Sequence, residues 1–287
     1  MKKIAIKKTE RRHPCFFSES RKRYGRIHLP VAQNCNIQCV YCRRDHECLH
    51  ENRPGVSNGV VGPEEALDRL DRALEKMPEI AVAGIAGPGD AFCDPRPTLR
   101  TFELIRRKYP GMELCVSSNG LNVRDHIPDL ADLNVGFVTL TINAIDPGVG
   151  SRLCVSVREG KGRALSGIPA ARALIARQLE TVSLLKAGGF RVKVNTVVVP
   201  GVNEDHAVFI AGKMGAMGVD LMNLLPLIPV PGTKMEGAEP PSRAEMRKLR
   251  RMAGKFLPQM RHCQRCRADA AGCLDKSPDT PAPLKTD

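Results

Sequence analysis

Tryptophan is absent from the 287-residue sequence, and eight Phe with three Tyr are all the aromatic residues it has. So few flat faces argue against a protein that stacks on nucleic-acid bases. No run of about 18 apolar residues occurs, which argues against a membrane-spanning helix. The opening Met1-Lys2-Lys3-Ile4-Ala5 also lacks the apolar core of a secretory signal. No internal repeat stands out, and only the Pro-rich end over 277–287 reads as a disordered tail. These absences point to a cytoplasmic globular protein with neither membrane nor nucleic acid as its partner.

What is present in excess is cysteine. Eleven Cys, an odd number, in a compartment that keeps thiols reduced read as metal or redox chemistry rather than as disulfides. The formal charge of +13 is spread along the chain instead of gathered in one arm. It also counts every Cys as neutral, whereas metal and iron-sulfur sites are held by thiolates, so loaded sites would offset much of that charge.

Hydrophobic residues make up 42% of the chain, enough for a sizeable core. Periodicity predicts strands at 26–32, 80–85, 112–117, 136–142, 190–199 and 219–225. Helices are predicted at 63–76, 97–108, 169–186, 203–217 and 242–256. The alternation predicts a parallel sheet, open or curled into a partial barrel. Strand parity makes one face polar: His28; Cys115 and Ser117 with Asn119 just beyond; Thr139, Thr141 and Asn143; Arg191, Lys193 and Asn195. With the apolar sides under helices, those side chains face a common interior that must hold something polar.

The stretch CNIQCVYC over residues 35–42 follows the first predicted strand. Zinc sites usually pair two CxxC units, whereas Cys35, Cys39 and Cys42 place three thiols on one loop with no fourth beside them. That spacing suits a 4Fe-4S cluster with one iron left open for an outside ligand; a zinc site completed by Cys48 is the competing reading.

CxxxCxxC with Tyr41 before its last Cys, on the loop after a first strand, resembles the radical S-adenosylmethionine (SAM) superfamily. The resemblance implies a partial (β/α)6 barrel, a cluster on Cys35, Cys39 and Cys42, and SAM chelated at the open iron. It places Tyr41 beside the adenine and Gly87, Pro88, Gly89 and Asp90, in the turn after the second strand, near the SAM amino group. Ser117, Asn119, Thr141 and Asn195, at later strand ends on the polar face, are candidates for ribose and carboxylate contacts.

Further motifs, "HPCF", "CLHENRPGV", "GIAGPGD", "SSNG" and "HCQRCRADAAG", extend over most of the chain and resemble the nitrogenase cofactor-assembly branch of that superfamily. The resemblance implies a carbide synthase. Two further 4Fe-4S clusters are fused with a SAM-derived carbon into an eight-iron carbide precursor, using one SAM for methyl transfer and a second for a radical that abstracts hydrogen from the methyl. It assigns Cys15, His28, Cys48, Cys115, Cys263 and Cys266 as ligands of those clusters, with His28, Cys48 and Cys115 holding one and Cys15, Cys263 and Cys266 the other. Glu64 or Glu65 could add an oxygen. Arg53, Arg158, Arg163, Arg265 and Arg267 are candidates to balance charge, each against a plain surface role, while Cys93, Cys154 and Cys273 default to core positions.

The implied organisation is an N-terminal extension (1–25) that closes the barrel and supplies ligands, the barrel itself (26–257), a cluster-binding segment (258–276) and the tail. Implied partners are iron-sulfur cluster donors, an electron donor and a downstream carrier, which would be a separate protein because the chain stops soon after its CxxC. The segment 147–166 departs from the branch's aromatic pattern, so this wall of the pocket is expected to differ. Two alternatives stand beside this reading: another radical SAM maturase with auxiliary clusters, of peptide- or molybdopterin-type, and a basic, zinc-stabilised nucleic-acid-binding protein.

Overall fold

The computed structural model describes residues 6, 11–44, 51, 53–160 and 162–274; Cys48 and the 277–287 tail lie outside them. Six strands run parallel: β1 (Gly25–His28), β3 (Ile80–Ile85), β4 (Glu113–Ser118), β5 (Phe137–Thr141), β7 (Arg191–Val198) and β8 (Leu221–Pro226). They neighbour one another in that order, giving the curled half-barrel anticipated from the alternation. Between them lie α1 (Pro63–Lys76), α2 (Pro95–Lys108), α3 (Ile127–Asp132), α5 (Gly167–Ala187) and α6 (His206–Ala216); α7 (Arg243–Ala253) follows β8.

The helices form where local chemistry favours them. Pro63 opens α1, Glu64 and Glu65 occupy its first turn and Lys76 its last, complementing the helix dipole. The Asp94 carboxylate accepts from the Arg96 amide at the start of α2, and Ser242 with Glu245 forms a full capping box on α7. Their apolar stripes pack on the outward side of the sheet. Leu70, Phe102, Ile105, Val182, Ile210, Met214 and Leu249 share one core with Ile27, Ala83, Ile85, Leu114, Val116, Val138, Leu140, Val194 and Leu224.

Two short pairings were not anticipated. β2 (Ile37–Cys39), on the thiol loop itself, runs antiparallel to β6 (Cys154–Val157), which follows the five-residue α4 (Pro147–Ser151). At the other end of the chain, β9 (Ala271–Gly272) adds antiparallel to β1, while the Met222 amide donates to the Pro258 carbonyl and Met222's own carbonyl accepts from Met260. Residues 257–272 thus form a strap from the β8 edge of the open sheet to the β1 edge. The N-terminal segment lies under the same end, with His13, Phe16 and Phe17 packed against the fully buried Phe137 at the start of β5.

The strap is tied to α6 by close backbone approach at Gly215, where any Cβ would run into the Phe256 carbonyl oxygen. Gly215→Ala is expected to cost about 1–3 kcal/mol of stability through overpacking, measured as a lower midpoint in chemical denaturation. Ala at the nearby open position Gly218 would carry only the strain of its left-handed backbone.

Candidate functional site

A cavity of about 280 Å³ opens at the carboxyl ends of the strands. Cys35, Cys39 and Cys42 line it together with Tyr41, Pro88, Gly89, Asp90, Ser117, Asn119, Thr141 and Asn195. The anticipated residues therefore converge, with one difference: Gly87 is not on the lining but behind it, against Ala268. Backbone bonds zip the Gly-rich turn to the thiol loop, from the Gly89 amide to the Ala32 carbonyl and from the Asp90 amide to Asn34. A side chain at Gly89 would collide with the Asn34 backbone, so the approach requires glycine.

Asp90 is committed internally. Its buried carboxylate accepts from the Asn119 amide (2.6 Å), the Phe92 amide (2.9 Å) and the Ser118 hydroxyl, while burial raises its pKa. The Asn119 side chain donates to Asn36 (2.7 Å) and leans toward the Cys35 sulfur at 3.8 Å. The Tyr41 hydroxyl accepts from Asn143 Nδ2 (2.6 Å).

Burial pushes the Cys35 thiol up to about 12 and raises Cys39 and Cys42 as well; Arg44, 4.0 Å from the Cys42 sulfur, opposes the shift there. Three thiols on one loop, in a cavity whose wall is largely apolar and also carries Arg44, Arg53 and Arg265, fit a cluster that turns them into thiolates and releases their protons on binding.

Below this level the barrel interior holds a second group. In the register across three strands, His28 sits beside Gly84, and Gly84 beside Cys115. A Cβ on Gly84 would touch both neighbours, at 3.6 Å from His28 Cδ2 and from Cys115 Cβ. Glycine there leaves the space between the imidazole and the thiol open. His28 Nδ1 lies 2.9 Å from the Arg267 carbonyl, so it carries the proton and donates, which leaves Nε2 as the lone-pair nitrogen. Burial together with the Arg26 charge holds the His28 pKa down at about 4, and burial pushes Cys115 up to about 12.

Beneath them Arg26, itself buried, donates to the Cys266 sulfur at 2.7 Å, and His262 Nε2 meets the Pro14 carbonyl at 2.8 Å. The strap's CxxC is thereby joined to the Cys15 segment, and Cys15 senses the charges of Cys266 and Cys263. Among the described residues no three His, Cys, Asp or Glu side chains gather tightly enough for a single metal ion.

Several side chains differ from expectation. Glu64 and Glu65 are on the outer surface, paired with Arg100 and Arg69, so neither can supply an interior oxygen. Arg53 is buried against Glu51 and lines the cavity, as does Arg265; Arg267 is fully buried and pairs with Asp269. Arg158 and Arg163 are exposed. Cys154 is buried as a core residue, yet it lies opposite Cys39 in the β2–β6 ladder and lines the same cavity. Sequence reading missed Asn143, Gly84, Arg26 and Lys193 as site residues, although strand parity had put Asn143 and Lys193 on the inner face.

Residues 29–212 match the profile of the Radical SAM superfamily. The chain belongs to the radical SAM superfamily. Membership implies a 4Fe-4S cluster and SAM. The chain is 48% identical over 262 residues to the FeMo cofactor biosynthesis protein NifB of Chlorobaculum tepidum, covering 91% of this chain and 62% of that one. It is 40% identical over 266 residues to the NifB of Klebsiella pneumoniae, covering 91% and 57%. The radical SAM chain thus spans less than two thirds of the length of these relatives.

Among solved structures, Streptococcus suis SuiB bound to S-adenosylmethionine aligns with a TM-score of 0.57 at 13% identity, covering 81% of this chain and 50% of that one. Methylornithine synthase aligns with a TM-score of 0.50 at 13% identity, covering 88% and 76%. At such identities these two support the fold alone. No helix among the described residues is long and apolar enough to cross a membrane.

The depressed pKa of His28 has a consequence for the metal-free protein. An unfolded chain takes up this proton near pH 6.5, the folded one only near 4. Stability is therefore lost as pH falls through that window. Denaturation midpoints at pH 7 and pH 5 should differ, and His28→Asn should reduce the difference. Part will remain, because the pKa of buried His13 is lowered too.

Proposed function

We propose that this protein is a radical SAM carbide synthase, which fuses two 4Fe-4S substrate clusters with a SAM-derived carbon into the eight-iron carbide precursor of the nitrogenase cofactor. The observation that carries the reading is the row His28, Gly84, Cys115: an imidazole and a thiol facing each other across a glycine gap, inside the barrel and below the three-thiol cavity. An imidazole nitrogen and a thiol inside the barrel, rather than in a C-terminal array, suit a metal-sulfur cluster bound there as substrate. The similarity to the NifB proteins, whose names state a role in FeMo cofactor biosynthesis, supports the same reading.

In this reading Cys35, Cys39 and Cys42 hold the resident cluster, which with SAM supplies reductive cleavage to a carbon radical. Tyr41, braced by Asn143, walls the adenine side. Pro88 and Gly89 bring backbone to the SAM amino group, while Ser117, Asn119, Thr141 and Asn195 offer hydrogen bonds to ribose and carboxylate. Asp90, on the same wall, also orients Asn119 by accepting from its amide.

His28 through Nε2, Cys115 and Cys48, the last outside the described residues, take one substrate cluster; Cys15, Cys263 and Cys266 take the other. The segments 1–25 and 258–276 then act as the lower closure of the 26–257 barrel, keeping water and oxygen from the reacting groups. The proposed setting is the cytoplasm, with cluster donors, a one-electron donor and a carrier that collects the precursor as partners.

The test is iron and acid-labile sulfide per chain in anaerobically prepared protein, with EPR recorded with and without SAM. The expected result is roughly twelve irons, for three 4Fe-4S clusters, with two signals that fade when SAM is added. Loss of about four irons is expected in Cys39→Ala and, separately, in Cys263→Ala. About four irons in the wild type would instead favour a radical SAM enzyme of another kind, and zinc without sulfide would sink both readings.

A further inference from the structure

Lys193 is a buried cation that the proposed chemistry leaves unused. It is only 7% exposed, on the inner face of β7, in the register row Ser117, Thr139, Lys193, one step above the row of His28 and Cys115. It makes no ion pair with any described carboxylate. The buried carboxylate on the same side of the sheet, Glu113, lies on β4 two residues before Cys115 and does not pair with it. Its ammonium instead sits 5.1 Å from the centroid of Phe16, the residue after Cys15. The Lys193 charge is the leading electrostatic influence on both Cys15 and Cys115, opposing what burial does to each thiol.

Arg26, the other buried cation of this compartment, likewise pairs with no carboxylate among the described residues. It bonds the Cys266 sulfur and the Gly272 carbonyl, and its Nε has no hydrogen-bond partner. An ammonium held away from water without an anion is costly. Two cations facing the thiols of Cys15, Cys115 and Cys266 make sense when those thiols become thiolates around an anionic cargo.

We propose that Lys193 is the positioning cation of the lower compartment: its ammonium, held over Phe16 beside Cys15, neutralises the iron-sulfur substrate bound there and raises that substrate's reduction potential. The proposal rests on the cluster-fusing reading above. The sign follows from charge: reduction adds an electron to an already anionic cluster, and a nearby cation favours the more negative state.

The test compares wild type, Lys193→Met and Lys193→Arg, prepared anaerobically, by iron and sulfide content, by EPR-monitored redox titration and by thermal melting of the metal-free chains. Lys193→Met should keep the resident cluster and its response to SAM. It should either lose the lower-compartment iron or hold it with the reduction equilibrium shifted at least tenfold toward the oxidised form, which is 59 mV for a one-electron couple. Lys193→Arg should restore both. The metal-free Lys193→Met chain should melt no lower than wild type, because it has lost a buried charge that pairs with no described carboxylate.

Two results overturn the assignment: a Lys193→Met protein with wild-type iron content and potentials, or one that fails to fold, since a lysine kept for its cargo is not needed by the metal-free fold. A wild type that itself takes up only about four irons overturns the cluster-fusing reading and this one with it. A wild type with about twelve irons and an indifferent Lys193→Met overturns this one alone.

Discussion

An open parallel sheet leaves two strand edges unpaired, and covering both with one segment is the constraint on which the lower half of this molecule depends. The strap over 257–272 bonds to Met222 at the β8 edge and pairs as β9 with Arg26 and Ile27 at the β1 edge. With both ends fixed, the residues between must pass across the lower mouth of the half-barrel. This main-chain pairing brings Cys266 to Arg26 and the Arg267 carbonyl to His28. The arrangement at that end is therefore a by-product of edge protection, in the sense that the hydrogen bonds that close the sheet also set where Cys266 and His28 lie.

The interior is built in two tiers with different electrostatics. The upper tier sets neutral donors and acceptors, Asn36, Asn119, Tyr41, Asn143 and Gln178, around the Asp90 carboxylate, with Arg44, Arg53 and Arg265 also on the cavity wall. The lower tier has two buried cations, Arg26 and Lys193, among its thiols, while burial keeps His13 and His28 neutral near pH 7. Burial raises the pKa of Cys35, Cys39 and Cys42 in the upper tier and of Cys15 and Cys115 in the lower, so a metal centre bound through these thiols would release their protons, and neighbouring cations favour the thiolate. Gly84 and Gly89 complete the arrangement in opposite ways, one by leaving a gap between the His28 imidazole and the Cys115 thiol and the other by letting two backbone segments touch.

Much of this was legible in the chain. The six parallel strands and the main helices follow from apolar periodicity, and the inward residues from strand parity, because a two-residue repeat commits a whole strand once its apolar side is known. The three-thiol loop was legible because its cysteines lie within eight residues of one another. The β2–β6 ladder, the five-residue α4 and the two-residue β9 escaped because segments that short carry no readable period. Cys154 read as an ordinary core thiol because its partner in the ladder, Cys39, is more than a hundred residues away in the chain. Glu64 and Glu65 looked available because helix N-termini often carry functional acids; only packing shows that α1 turns them outward to Arg100 and Arg69.

By itself the sequence determined the class of fold, the polarity of the barrel interior and the three-thiol loop, since these depend on residue type and on spacings of two to four residues. Only the tertiary structure decided which distant groups meet: Arg26 with Cys266, His262 with Pro14, His28 across Gly84 from Cys115, and Lys193 over Phe16. The physical reason is that these juxtapositions follow from strand register and from where the two chain ends dock. Register and docking are settled by summed hydrogen bonds and apolar burial over the whole sheet, which no local stretch of sequence encodes.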